Sequence, residues 1–251
     1  LTGCGGSKDE SKTDATATTD TASSEASGEK ILRVASEDPQ VPLDMQLNTY
    51  SIIMKVTDNV TESLMLTNDA GELEPTLLAE MPTLYEDKLT YSFTLKDGVT
   101  FHNGAPLTSN DVKYSLERMV SKYKMSSLLE KVAGYQEFFD EQADEITGIE
   151  IVDDTHFNIH MSEIYTPLLS ALSTPYCAIY PAEACEEAGD DWGMSVLYGT
   201  GPFKLVSYQT GVGVELAKNE NYHGGDVKLD GIKYTFIDDP NTGVLEYQKG
   251  N

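Results

Sequence analysis

Apolar and polar positions alternate through residues 89–95, Leu-Thr-Tyr-Ser-Phe-Thr-Leu, so Leu89, Tyr91, Phe93 and Leu95 share one face. A period of two predicts a half-buried β-strand. Asp97-Gly98 and Asn103-Gly104 punctuate the next residues as turns, with Val99 and Phe101 expected to form a short strand between them. Beyond Pro106 the period lengthens. Val112, Leu116, Met119 and Val120 fall on one helical face, which predicts a helix. Thr108 suits the N-cap. Asp111 stands three residues on, where its carboxylate can reach back to the cap and meet the positive helix end.

The same periodicities extend along the chain. Strands are expected at 31–35, 177–180 and 232–237. Hairpins are expected at 148–161, around Asp153-Asp154-Thr155, and at 203–218. Ile52, Ile53, Val56, Val60 and Leu64 predict a helix over 50–66. Further helices are expected within 122–144, at 167–172, at 181–188 with Pro181 at its start, and from Asp239 through Leu245 to Gly250.

As a string, 89–120 is more specific than its periodicity. Tyr91, Phe93, Leu95, Gly98, Val99, Phe101, His102, Gly104, Pro106, Leu107, Thr108, Asp111, Val112, Ser115, Leu116, Glu117 and Arg118 stand without a gap where a known signature has them. That signature belongs to the peptide/nickel family of ABC-transporter solute-binding proteins, which this chain resembles. Gly199-Thr200-Gly201-Pro202-Phe203 with Leu205 is a second match. Smaller ones are Asn59, Glu62 and Leu64; Asn219, Tyr222 and Gly224; and Asp239 with Asn241-Thr242. Leu43-Asp44 resembles the family's early turn, with Met45 in place of its proline.

The resemblance runs from about 32 to 250 and implies an α/β fold, a type II periplasmic-binding-protein-like lobe with an inserted α/β domain. Residues 30–49 plus 174–251 would form the discontinuous core domain, and 50–173 the insertion. Family members are longer and bind ligand between two lobes. The second lobe is expected to start after Asn251, so the chain reads as an N-terminal lobe, truncated. The resemblance implies ligand contacts at Ser36, Glu37 and Asp38, on the cleft wall after the first strand. It places Gly199, Thr200 and Gly201 near the crossing between lobes, where a tight turn is the alternative role. Tyr176 is a candidate for stacking on ligand, with core packing as the alternative.

The function implied is an extracytoplasmic, monomeric receptor of an ABC importer. It would capture short peptides and deliver them to a membrane permease driven by an ATPase. Nickel, haem or an oligosaccharide as ligand, or a surface sensor or adhesin without transport, remain alternatives. Leu1-Thr2-Gly3-Cys4 resembles a lipoprotein processing site, which implies lipidation of Cys4 and a bacterial membrane anchor. Residues 5–29 are rich in Ser, Thr, Ala, Gly and acids and read as a disordered tether.

Composition narrows the partners. A net charge of −25 argues against nucleic acid and against an anionic membrane surface. No run of apolar residues is long enough to span a bilayer. Three cysteines show no zinc spacing, and Cys177 and Cys185 are either a disulfide or two buried thiols. His156 and His160 share a strand face but lack a third ligand, and His102 belongs to a turn. With no nucleophile elbow and no phosphate loop, the sequence offers neither an enzyme nor a cofactor site.

Overall fold

The computed structural model describes residues 28–122, 126–237 and 239–249. Cys4 and residues 1–27 of the expected tether lie outside them. The elements run in chain order: β1 (Ile31–Ser36), α1 (Ser51–Thr57), β2 (Met65–Thr67), β3 (Leu73–Pro75), β4 (Thr83–Leu84), β5 (Thr90–Thr94), α2 (Ser109–Lys122), α3 (Tyr135–Phe139), β6 (Ile149–Ile151), β7 (His156–His160), α4 (Leu168–Leu172), α5 (Ala182–Ala188), β8 (Phe203–Gln209), β9 (Gly213–Lys218), β10 (Gly231–Phe236) and α6 (Pro240–Lys249).

Two four-stranded sheets organise them. One has the order β1-β10-β9-β8, and the other β4-β5-β7-β6. Pairing in both is antiparallel except that β1 runs parallel to β10, Ile31 opposite Gly231 and Ser36 opposite Phe236. In the second sheet Phe93 and Phe157 stack with centroids 4.8 Å apart, over the buried side of the alternation at 89–95. At the α2 start Asp111 supplies the return half of a capping box. The Asp111 carboxylate accepts the Thr108 backbone N–H at 2.9 Å and its hydroxyl at 2.7 Å.

Each sheet has its own core. Phe93, Phe101, Leu116, Phe157 and Ile159 belong to one, and Tyr180, Trp192, Val214 and Ile232 to the other. The cores change over between Val60 and Leu64 on the outward path, and at 177–180 on the return. Helix α1 therefore packs, through Ile53 and Val56, in the core of the β1 sheet and not with the segment after it. A domain boundary at Tyr50 would divide α1 from the core that it helps to fill.

Four local expectations are corrected. The helix expected over 50–66 stops at Thr57. Val60 and Leu64 are buried as predicted, but the Asn59 and Val60 carbonyls accept from Phe203 N (2.9 Å) and Gly201 N (3.0 Å), so no helix can use them. Within 122–144 the described helical pieces are one short 3₁₀ turn at 126–129 and α3, separated at Gly134 with φ of 78°. Residues 178–180 belong to no strand and join no sheet. Ile179 N donates to Glu62 O and Tyr180 N to the Ser115 hydroxyl. Val99 and Phe101 form no strand of their own, only a bridge between Thr100 and Pro106. Cys177 and Cys185 are free, buried thiols, and burial pushes the Cys177 thiol up to about 12.

Candidate ligand groove and the joint beside it

The parallel pair β1–β10 ends at Ser36 and Phe236, and there both chains leave the sheet in the same direction. Carboxyl ends of parallel strands are where open α/β sheets leave a crevice. A groove of about 790 Å³ opens at this point. Its floor is Ala35, Ser36, Glu37, Asp38 and Pro39. Tyr50, Ser51, Ile52 and Lys55 of α1 and its entry form one wall, and Ile237, Asp239, Gly243 and Val244 the other. The size lies within the range of small-molecule sites. Tyr50 and Val244 are each 56% exposed, so apolar surface stands open along both walls.

Two of the groove's carboxylates are already committed. Asp38 accepts from Gly211 N at 2.6 Å and from Gln40 N at 3.0 Å, which ties the floor to the β8–β9 turn. Asp239 accepts from Asn241 N, Thr242 N and the Thr242 hydroxyl and so caps α6. These bonds hold its carboxyl below the usual range. Glu37 and Lys55 are exposed, and their charged groups have no partner among the described residues.

Ser36, Glu37 and Asp38 thus meet in the groove. The other sequence candidates do not. Gly199, Thr200 and Gly201 are buried at the place where the two cores change over. A Cβ on Gly199 would stand 2.0 Å from the Val60 carbonyl oxygen, and one on Gly201 2.8 Å from the same carbonyl. Here the glycines allow one backbone to lie on another. Tyr176 is half-buried and packs against both cores.

The joint draws His102, Glu62, Gly199 to Gly201, Asn219 and Tyr222 from four of the matched motifs. His102 N donates to Gly199 O (2.9 Å), and Gly199 N donates to His102 Nδ1 (3.2 Å). An accepting Nδ1 puts the ring proton on Nε2, which donates to Gly201 O at 2.9 Å. Burial lowers the His102 pKa to about 4, so the ring is neutral, as that arrangement requires. Asn219 Nδ2 donates to the same Gly201 carbonyl. Beside them Glu62 accepts from the Thr200 hydroxyl at 2.7 Å, the Tyr222 hydroxyl at 2.9 Å and His223 Nε2 at 2.7 Å. Desolvation and the adjoining Glu62 raise the Tyr222 phenol well above its usual value.

A second latch joins α2 to the loop after β1. The Asp44 side chain is fully buried. It accepts from Arg118 at 2.7 Å and from the Tyr180 hydroxyl at 3.1 Å. Arg118 also donates to Gln46 Oε1 at 2.6 Å and lies over the Tyr180 ring. The Asp44–Arg118 and Glu62–His223 pairs are not foreseeable from sequence. The only signal is that Asp44, Arg118 and Glu62 belong to matched motifs. His156 and His160 do share an exposed strand face, yet each bonds a different carboxylate, Asp153 and Glu150. Among the described residues no three His, Cys, Asp or Glu side chains converge as a metal site.

Comparison with known proteins agrees with this architecture. The chain is 27% identical over 234 residues to the dipeptide-binding protein DppE of Bacillus subtilis, covering 89% of this chain and 42% of that one. It is 29% identical over 221 residues to the nickel-binding protein NikA of Staphylococcus aureus, covering 85% and 40%. The solved structure of Listeria monocytogenes OppA bound to peptide superposes with a TM-score of 0.82 at 24% identity, over 89% of this chain and 46% of that one. The chain spans less than half the length of these relatives. The family model for bacterial extracellular solute-binding proteins, family 5, matches residues 72–251, and the chain belongs to that family.

Proposed function

We propose that this chain is the ligand-binding lobe of an extracytoplasmic receptor for an ABC importer. It captures short peptides in the groove at the ends of β1 and β10 and presents them to a membrane permease and its ATPase. The observation that carries this reading is the groove itself. It opens where the only parallel pair of the described strands ends, with polar and apolar side chains mixed on its walls and residues 36–39 leading out of β1 as its floor. Extended peptides need backbone partners and apolar surface together. Relatives named for dipeptides and oligopeptides support the ligand class.

The lobe is a core domain carrying an inserted domain, the insertion running from after Val60 to before Ala178, where the cores change over. A facing lobe closes over the groove by a hinge motion, favoured by contacts made only when closed. The protein acts as a monomer, held at the membrane by a lipid on Cys4. Its function is capture and release, with no bond made or broken.

Native mass spectrometry of the protein in its full reading frame, purified gently from a peptide-rich medium, tests the reading. A ladder of added masses fitting short peptides is expected. A single metal, haem or sugar mass, or a protein that stays empty with added peptides, overturns it.

A further inference from the structure

Of the asparagines that precede another residue, Asn103 alone is followed by glycine. The pair forms the tip of a turn that closes where Phe101 N donates to Ala105 O at 2.8 Å, and both residues are exposed. Gly104 has φ of 87°, and no atom lies within 4 Å of where its Cβ would stand. Asn103 Oδ1 accepts from Ala105 N at 3.1 Å, and the ring that this bond closes contains the Gly104 nitrogen. That nitrogen donates to Phe101 O at 2.9 Å, a turn bond at the surface. His102 lies inside the same turn. Its backbone N–H donates to Gly199 O, and its ring accepts from Gly199 N and donates to Gly201 O. The most exposed backbone of the signature is thus one residue from the joint.

We propose that Asn103 is a self-modification site, where the Gly104 nitrogen closes on the Asn103 side chain and the isoaspartate that results loosens the joint through His102. The Gly104 nitrogen forms a bond to Asn103 Cγ, and the Cγ–Nδ2 bond breaks. The proton of the Gly104 nitrogen leaves with Nδ2 as ammonia, and a five-membered succinimide remains. Water then opens that ring. Addition at Cγ gives aspartate. Addition at the main-chain carbonyl carbon gives isoaspartate, whose chain runs through Cβ and Cγ and is one carbon longer. The sum is amide plus water to acid plus ammonia, and nothing is oxidised or reduced. Glycine favours closure because it has no Cβ to crowd the ring and its backbone moves freely. The Phe101 bond must open first, and exposed turn bonds open at low cost. Hydroxide removes the proton, so the reaction quickens as pH rises. The extra carbon falls within the turn that spaces His102 from Ala105, so isoaspartate disturbs the three bonds from His102 to Gly199 and Gly201. Aspartate adds only a charge at an exposed position. The inference does not depend on the ligand that the groove takes.

The test incubates the folded protein, in its full reading frame, in neutral and in mildly alkaline buffer. Trypsin then releases residues 97–113, which lie between Lys96 and Lys113 and hold Asn103. Tandem mass spectrometry is expected to find the amide-to-acid mass change at Asn103 before any other asparagine, faster in the alkaline buffer, with the isoaspartyl form in excess. Asn103→Gln should abolish it, since a glutamine would have to close a larger ring. The added charge lets ion exchange separate the modified protein, whose denaturant midpoint is compared with that of Asn103→Asp. The isoaspartyl protein is expected to have its unfolding constant raised about tenfold, the scale of one lost buried hydrogen bond, and Asn103→Asp to match wild type. If residue 103 stays an amide in the folded protein while the same peptide, free in solution, converts, the turn protects it and the site is overturned. If the isoaspartyl protein and Asn103→Asp unfold at one midpoint, the link to the joint is overturned.

Discussion

The joint and the groove lie on opposite terms with their own polar groups. In the joint nearly every polar side chain is used by the protein itself. His102 bonds Gly199 and Gly201, Glu62 takes three donors, and Arg118 and Tyr180 close on Asp44. In the groove the charged groups of Glu37 and Lys55 bond nothing among the described residues, and Tyr50 and Val244 stay open. Several matched motifs send a residue into the joint. The residues that make this family recognisable thus serve the fold, in one core, its turns and the joint between the two cores, while the ligand is left to a surface with few internal commitments. Substitutions in the two regions should separate accordingly.

The largest effect is expected at Arg118. Its side chain is 11% exposed and that of Asp44 is 0%. Arg118→Leu strands a buried carboxylate and should lower unfolding free energy by about 4 kcal/mol. The denaturant midpoint measures this, and a loss under about 1 kcal/mol would mean that Tyr180 and backbone donors suffice for Asp44. Gly199→Ala comes next. Its Cβ meets a backbone oxygen, which cannot rotate away, so about 3 kcal/mol is expected. Gly98→Ala is the matched control. Gly98 has φ of 74° but open space around it, and about 1 kcal/mol should be lost.

The third effect is a pH dependence from His102. Its ring titrates near 4 when folded and near 6.5 when free. A depressed histidine pKa means that the unfolded chain takes up the proton first. Its contribution to stability is complete above pH 6.5 and declines as pH falls towards 4. After a discount for partial exposure, about 2 kcal/mol should be lost over that window. Carboxylates titrate there too, so the measurement is the difference between wild type and His102→Gln. Equal slopes for the two proteins would show that a charged ring is tolerated in the joint.

Much of the fold was legible because local chemistry and final structure agreed. The alternation at 89–95, the turns at Gly98 and Gly104 and the Thr108–Asp111 box each work within a few residues. Where the sequence misled, a distant partner had decided. The apolar spacing of Val60 and Leu64 predicted burial correctly but helix wrongly, because carbonyls at 59 and 60 are claimed by amides at 203 and 201. The 178–180 segment has strand-like composition, yet its amides go to Glu62 O and the Ser115 hydroxyl. The groove was half legible. Ser36 to Asp38 follow from the end of a first strand. Lys55, Ile237 and Val244 become its walls only because β1 pairs with β10, a contact that no local pattern encodes.

The smallest stability effect is expected in the groove. Lys55→Gln removes an exposed ammonium with no partner among the described residues and keeps the carbonyl that holds Tyr234 and Asn59. Exposed substitutions away from caps, networks and cores fall within about 0.5 kcal/mol. A denaturant midpoint that drops by more than about 1 kcal/mol would show that Lys55 supports the fold. The contrast between a saturated joint and an uncommitted groove would then fail at the one residue meant to define it. A midpoint that does not move would leave the contrast standing.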